Sequence, residues 1–396
     1  MMRPAPRAAL LAAAGASALL AARVLRTAAR TKDYFTAPVR EAERLGVRER
    51  RIRVREGLEL NVAEGPAGGV PLLLIPGQGV VWQEYARALP ALLEACHVLV
   101  VDVHGHGAST WDPMDYTGER IAEDLATLIE SELGGPAVLA GHSSGGILAA
   151  LLAARRPDLV RGALLEDVPF FSTEPDRIRR TYVHVDAWHG VVDFLAQDRE
   201  RDWVCWYMPG SYWARVFGPL WRVFTRSVIR QRRADPTRLP VIRWVGVDIN
   251  RIWESMSHPF DLRFTAAFVD GSWLRGVDQA EVLREVSCPT TFVKAGPTRH
   301  DRDGTLLAAL DEDDLARVES LLPQNRTVHV KSSHDVHFAH TEAYTDALLE
   351  LVDRVTAGEG ARTDDGAARI DDGAAGIAAG GVAGSRSTGP AEGDSR

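Results

Sequence analysis

Lysine is almost missing from this chain: three lysines stand against 43 arginines. Together with abundant alanine, that imbalance is read as the mark of a GC-rich genome and not of a site. A basic surplus is missing as well. With 46 cationic and 54 acidic residues the net charge is −8, which speaks against a nucleic-acid binder, whose phosphate contacts need excess cations. Cysteine is scarce: Cys96, Cys205 and Cys288 lack metal-ligand spacing and cannot all pair, so neither a disulfide framework nor a zinc site is expected. No P-loop, dinucleotide fingerprint or metal-binding pattern is present, and no cofactor is expected. What the chain does have is 45% hydrophobic and 25% charged residues over 396 positions. That is the composition of an ordinary globular protein and excludes a disordered, collagenous or multi-pass membrane chain.

Both ends differ from the middle. In residues 357–396, 20 of 40 positions are Gly or Ala and none is aromatic; such a stretch cannot bury enough apolar surface to offset its ordering entropy and is expected to be disordered. Residues 1–49 hold the uncharged run Ala8–Ala22, preceded by Arg3 and Arg7 and followed by Arg23, Arg26, Arg30 and Lys32. Three readings of this run stay open. A signal peptide fits its length, but the cations after it are unusual for an exported start. A spanning helix needs about 20 apolar residues. The third reading, a helix lying on the fold or on anionic lipid, is the favoured one. The expectation is a cytoplasmic protein able to associate with membrane through this segment, with export as the open alternative.

Between the ends, short apolar runs alternate with helical patterns. Ile52–Arg55 and Leu58–Ala63 flank Glu56-Gly57 as a hairpin. Val70–Ile75, Val98–Asp102, Val138–Gly141 and Ala163–Glu166 read as strands buried on both faces, separated by helices over Trp82–Ala95, Gly118–Leu133 and Ile147–Arg155. After an interruption come Thr290–Ala295, Thr327–Lys331 and a helix over Glu342–Val355. This order predicts an α/β protein: a mostly parallel sheet with an antiparallel N-terminal strand and helices on both faces. Its core spans 50–168 and 287–356, split by an insertion at 169–286. Ligands of such sheets sit beyond the carboxyl ends of the strands.

Those strand ends carry the chemistry. Gly141-His142-Ser143-Ser144-Gly145-Gly146 follows a strand and precedes an apolar helix, the setting in which glycines let a sharp turn lift a serine hydroxyl above the sheet. Ile75-Pro76-Gly77-Gln78-Gly79 ends the third strand, Asp102-Val103-His104-Gly105-His106-Gly107-Ala108-Ser109 ends the fourth, and Ser332-Ser333-His334-Asp335-Val336-His337-Phe338 follows the last. These four segments, in this order, resemble the α/β-hydrolase superfamily over about Arg50–Val355 outside the insertion. The third-strand segment departs from the family's His-Gly-x-Gly by carrying Pro76, and the last lacks the glycines usual before the histidine.

The resemblance implies a cofactor-independent serine hydrolase acting on an ester or related acyl compound. Ser143 would be the nucleophile and His334 the base, with His337 as a rival that better suits packing beside the site. The backbone N–H groups of Ser144 and Gln78 would hold the oxyanion. The acid is harder to place, because Arg299 stands where the family has aspartate after the strand at Thr290–Ala295. Asp301 is the first choice, with Asp303 and Asp167 as alternatives. C–C bond, lactone or thioester hydrolysis, cofactor-free peroxidation and a non-catalytic ligand receptor remain rivals on the same scaffold.

In the family the insertion forms a helical cap. Here it holds eight of the ten tryptophans, most of them expected in the cap's own core and a few against a small apolar acyl substrate. Its cluster Arg226, Arg230, Arg232 and Arg233 reads as a solvated helix face. Substrate identity and oligomeric state are not legible.

Overall fold

A computed structural model describes residues 21–371, with side chains through residue 358. The chain divides into two units at Val355/Thr356, and the first contains everything below except the last turns of the final helix. Most of the run Ala8–Ala22 lies outside the described residues. Among the described residues, no helix is long and apolar enough to cross a membrane.

Eight strands form one sheet: β1 (Arg48–Arg55), β2 (Leu58–Glu64), β3 (Val70–Ile75), β4 (Cys96–Asp102), β5 (Ala137–His142), β6 (Val160–Glu166), β7 (Thr290–Ala295) and β8 (Asn325–Val330). Their order is β1-β2-β4-β3-β5-β6-β7-β8. β1 and β2 pair antiparallel across Glu56-Gly57, and β2 lies antiparallel to β4. The other pairs are parallel. Because side chains alternate along a strand, Leu73, Ile75, Leu99, Val101 and Leu139 enter one core, with the helices Gly118–Glu132 and Ser144–Arg155. Leu72, Leu74, Val98, Val100 and Val138 enter the other, under Tyr85, Leu89 and the final helix's Tyr344, Leu348 and Leu351. Burial on both faces is why these strands read as unbroken apolar runs.

Two elements differ from the sequence reading. The helix expected over Trp82–Ala95 is a 3-10 turn, Trp82–Arg87, followed by the short helix Leu89–Leu92. Pro90 sits at the start of that second piece, where its missing N–H is tolerated; inside a continuous helix it would break a hydrogen bond. The final helix runs Thr341–Asp371, well into the stretch expected to be disordered. That continuation carries Gly358, Gly360 and Gly366 as well as Ala and Arg, so composition alone does not account for it. Residues 372–396 lie outside the described residues.

The insertion between β6 and β7 is helical and has a core of its own, built around Trp203, Tyr207, Trp221, Phe224, Val228 and Trp253. Its last third behaves differently. Phe264, Phe268, Trp273 and Leu283 pack into the sheet's core, and Gly118 N–H bonds the Trp273 carbonyl at 2.8 Å.

Candidate active site

Ser143 stands between β5 and the helix Ser144–Arg155 with φ 53° and ψ −124°, a left-handed conformation costing a non-glycine residue about 1–3 kcal/mol. Its surroundings explain the flanking glycines. A Cβ on Gly141 would lie 2.3 Å from the Gly145 carbonyl oxygen, and one on Gly145 would lie 2.1 Å from that of Ile75. The turn is held by hydrogen bonds from Ser143 N–H to Glu166 O (3.0 Å) and from Gly146 N–H to Ser143 O (2.9 Å). Ser144 opens the helix, so its N–H has no carbonyl one turn back and faces the region where the helix dipole favours negative charge.

The loop carrying Gln78 runs against this elbow: a Cβ on Gly77 would lie 2.9 Å from the Ser143 Cβ. The Gln78 side chain turns away, its Nε2 donating to Thr265 Oγ1 on the inserted helix Leu262–Val269. The loop has an unexpected brace. Gly79 N–H donates to His106 Nε2 at 2.8 Å, while His106 Nδ1 bonds the His104 carbonyl at 2.9 Å. Both bonds fit only the neutral ring with its proton on Nδ1. Burial keeps it so, pushing His106 down to about 4. A histidine from the fourth-strand turn thus supports the loop in which Pro76 replaces the family's histidine.

His334, on the loop after β8, has its Nδ1 2.7 Å from Asp167 Oδ2, and its ring centroid lies 4.6 Å from that of His142, the residue before Ser143. Its side chain is 41% exposed while Asp167 is buried. Burial disfavours the imidazolium, but the hydrogen bond and charge of Asp167 outweigh it, so His334 is raised above the ordinary histidine value. With Nδ1–H directed at the carboxylate, Nε2 keeps its lone pair.

Asp301, the first choice for the acid, is not the partner of His334. Its carboxylate accepts from the N–H groups of Asp303 (2.9 Å) and Thr305 (2.8 Å) and from the Tyr212 hydroxyl (3.2 Å). The loop after β7 turns at Gly296 (φ 72°) and ties to the insertion through Leu306 N–H to Arg180 O at 2.8 Å, which carries Asp301 toward Tyr212. Asp303 is exposed and pairs with Arg215. The aspartate that meets His334 follows β6. Asp167 N–H bonds Val293 O at 2.8 Å, its Oδ1 accepts from Ala295 N–H at 3.1 Å, and φ 42° turns its side chain over the strand end. Lys294 Nζ, also buried, lies 3.9 Å from the same Oδ1. Sequence reasoning passed over Lys294; a lysine at the penultimate position of a buried strand, in a chain with three, was the available signal.

His337 belongs to a second, closed pair. Its N–H and Nδ1 meet the Glu166 carboxylate at 2.8 and 2.9 Å, and its ring stacks on Tyr85 at 4.2 Å. His142, with neither ring nitrogen partnered, fills the space between the two histidines; burial first, then His334 and His337, hold it well below the usual imidazole range. Ligand atoms of His142, Glu166 and His337 lie within 4.8 Å of one another, as do those of Glu84, Glu254 and His258. Hydrogen bonds to His337 already engage Glu166 in the first set. In the second, Arg251 occupies the position a cation would take, bonding Glu84 and Glu254 at 2.6 Å each.

Arg251 also reaches Asp335, the residue after His334, at 2.9 Å through Nε. His258 joins the cluster at 2.5 Å from Glu254 and 3.0 Å from Glu84. Burial works against its charge, but these two carboxylates raise it to about 9. A separate cleft of about 670 Å³, between Phe194, Trp203, Arg232 and Phe260, contains none of Ser143, His334 and Asp167.

A parallel sheet preceded by an antiparallel hairpin, a strained serine elbow after β5 and a histidine loop after β8 define one class. That class is the α/β-hydrolase fold. Residues 70–209 match the family model described as alpha/beta hydrolase fold. Lipase LipV of Mycobacterium tuberculosis is 35% identical over 134 residues, covering 33% of this chain and 48% of the lipase. The 2-(acetamidomethylene)succinate hydrolase of Mesorhizobium japonicum is 34% identical over 122 residues, covering 30% and 42%. The chain thus spans less than half the length of these curated relatives. The crystal structure of a bacterial membrane phospholipase A superposes with a TM-score of 0.55 at 22% identity, covering 90% of this chain and 99% of that one.

Proposed function

We propose that the protein is a serine hydrolase that cleaves an ester or related acyl compound through an acyl-enzyme, without a cofactor. The observation that carries this reading is the 2.7 Å contact between His334 and buried Asp167 beside the strained Ser143. Ser143 Oγ attacks the acyl carbon as His334 Nε2 takes its proton, and the carbonyl electrons move onto oxygen. That oxyanion is met by the N–H groups of Ser144 and Gln78. Collapse breaks the bond to the leaving alkoxide, which takes the proton from His334; water then repeats the sequence on the acyl-enzyme. Asp167 holds the ring's tautomer and stabilises the imidazolium. Serine at the elbow disfavours the aspartyl-ester chemistry of epoxide hydrolases and dehalogenases. The insertion acts as a cap, and its aromatic content suits a small apolar acyl group.

Labelling with a fluorophosphonate and turnover of p-nitrophenyl esters of increasing acyl length test the reading. Wild type should label and turn over, and Ser143→Ala should do neither, with loss of several orders of magnitude. A folded wild type that neither labels nor hydrolyses any ester, lactone or thioester overturns it in favour of a ligand receptor.

A further inference from the structure

We propose that the helix Pro219–Ala234 of the insertion, together with the N-terminal helix, residues 21–31, docks on an anionic lipid bilayer. The helix Pro219–Ala234 is sharply two-sided. Trp221, Phe224 and Val228 point into the insertion's core. Flanking this stripe Leu220 and Val223 are exposed, with Val216 just before them. Beside these aliphatic side chains stand Arg222, Arg226 and Arg230, all exposed and spaced four apart.

Charge on this face is segregated. In a chain of net charge −8, residues 213–234 contain six arginines and no acidic residue. The other three arginines are answered: Arg215 by Asp303, Arg232 by Asp202 and Arg233 by Glu200. Among the described residues no carboxylate comes within ion-pair distance of Arg222, Arg226 or Arg230. Holding three unpaired guanidinium groups around exposed aliphatics suits a partner that is anionic at its surface and apolar beneath.

The N-terminal helix has the same composition and is tied to the insertion. Thr31 Oγ1 donates to the Val245 carbonyl at 3.1 Å. The neighbouring Trp244 is half-exposed and meets Phe224, on the core side of the helix Pro219–Ala234, at 5.6 Å ring to ring. Arg23, Arg26 and Arg30 of residues 21–31 are exposed, as are Val24 and Leu25. No acidic residue occurs in 21–31, and the apolar run Ala8–Ala22 leads into it. Arginines outside, aliphatics inside and a tryptophan at the edge are the ingredients of an interfacial helix, with the indole at headgroup level. A soluble protein partner gives no reason for two separate segments to share this composition; a flat anionic surface does.

The test uses the full chain and large vesicles of phosphatidylcholine with and without phosphatidylglycerol, read by co-sedimentation. Wild type should bind the phosphatidylglycerol vesicles, and rising salt should weaken binding. Arg222→Gln/Arg226→Gln/Arg230→Gln should lower affinity on the order of a hundredfold at low salt. Leu220→Ser/Val223→Ser should lower it at both low and high salt. Neither set touches the proposed catalytic residues, so melting temperature and turnover of a soluble ester should match wild type, which separates failure of this proposal from failure of the hydrolase reading. Vesicle binding unchanged in both variants, or lost only when Leu25 is changed, overturns the proposal and leaves the N-terminal segment as the anchor. So does a shift in oligomeric state by light scattering without vesicle binding, which would make the surface a seat for a second copy of the chain.

Discussion

Two acid–histidine pairs sit side by side at the head of the sheet, and they differ in almost everything but composition. Glu166 and Asp167 are consecutive; His337 and His334 are three residues apart. The Glu166–His337 pair is wholly buried, its histidine stacked on Tyr85 and anchored through two nitrogens to one carboxylate. The Asp167–His334 pair has a buried acid but a histidine open to solvent, held through one ring nitrogen. The left-handed turn at Asp167 sends the two adjacent carboxylates in different directions. The difference in exposure therefore follows from the direction a strand end gives each side chain, not from the residue types. The closed pair props the floor of the site, and the open pair leaves one imidazole nitrogen free.

The sharpest way to break this comparison is to remove each histidine in turn. His334→Ala should lower kcat/KM for a p-nitrophenyl ester by about three to six orders of magnitude, with melting little changed. His337→Ala should leave most turnover in the folded fraction but destabilise the protein by about 2–4 kcal/mol in urea, because Glu166 loses the ring's hydrogen bond and a cavity opens against Tyr85. The reverse ranking would exchange the roles of the pairs.

A smaller effect is expected from the acids. Asp167→Asn should lower kcat about a hundredfold to ten-thousandfold, the upper figure being that of the serine-protease example, whereas Asp301→Asn should change it less than about twofold. The pH profile gives a second readout. With His334 as the proposed base, turnover needs its neutral ring, so activity should rise with pH through its pKa. Asp167 raises that pKa, so the wild-type inflection should lie above the ordinary value of about 6.5, and Asp167→Asn should move it down.

The smallest effect concerns the loop over the site. His106→Phe leaves Gly79 N–H without its acceptor and should cost about tenfold in kcat with KM nearly unchanged, less than the hundredfold or more lost with an oxyanion donor itself. His106→Gln keeps an acceptor near the same place and should recover most of that loss.

The comparison also separates what the sequence makes visible from what it hides. The Ser143 elbow is legible within six residues, because its glycines mark the sharp turn even though Gly145 and Gly146 make room for Ile75 and Val168 of other strand ends. The alternating strands declare themselves by burial on both faces. The partnership of Asp167 with His334 is not local. It depends on β6 lying against β7, so that Val293 and Ala295 seat the aspartate, and on the loop after Gly296 folding back toward Tyr212 with Asp301. Spacing along the chain favoured Asp301; sheet order decided otherwise. His106 was hidden for the same reason, as its partner Gly79 belongs to a different strand end.

Arg251 ties the insertion to the loop that carries the histidine. It belongs to the insertion yet pairs with Asp335, the immediate neighbour of His334, and with buried Glu84 in the turn Trp82–Arg87. Removing its guanidinium would leave buried carboxylates without their counter-charge, at about 3–5 kcal/mol. A change at this one residue of the insertion is therefore felt where the imidazole is held, and the two parts of the chain do not vary independently.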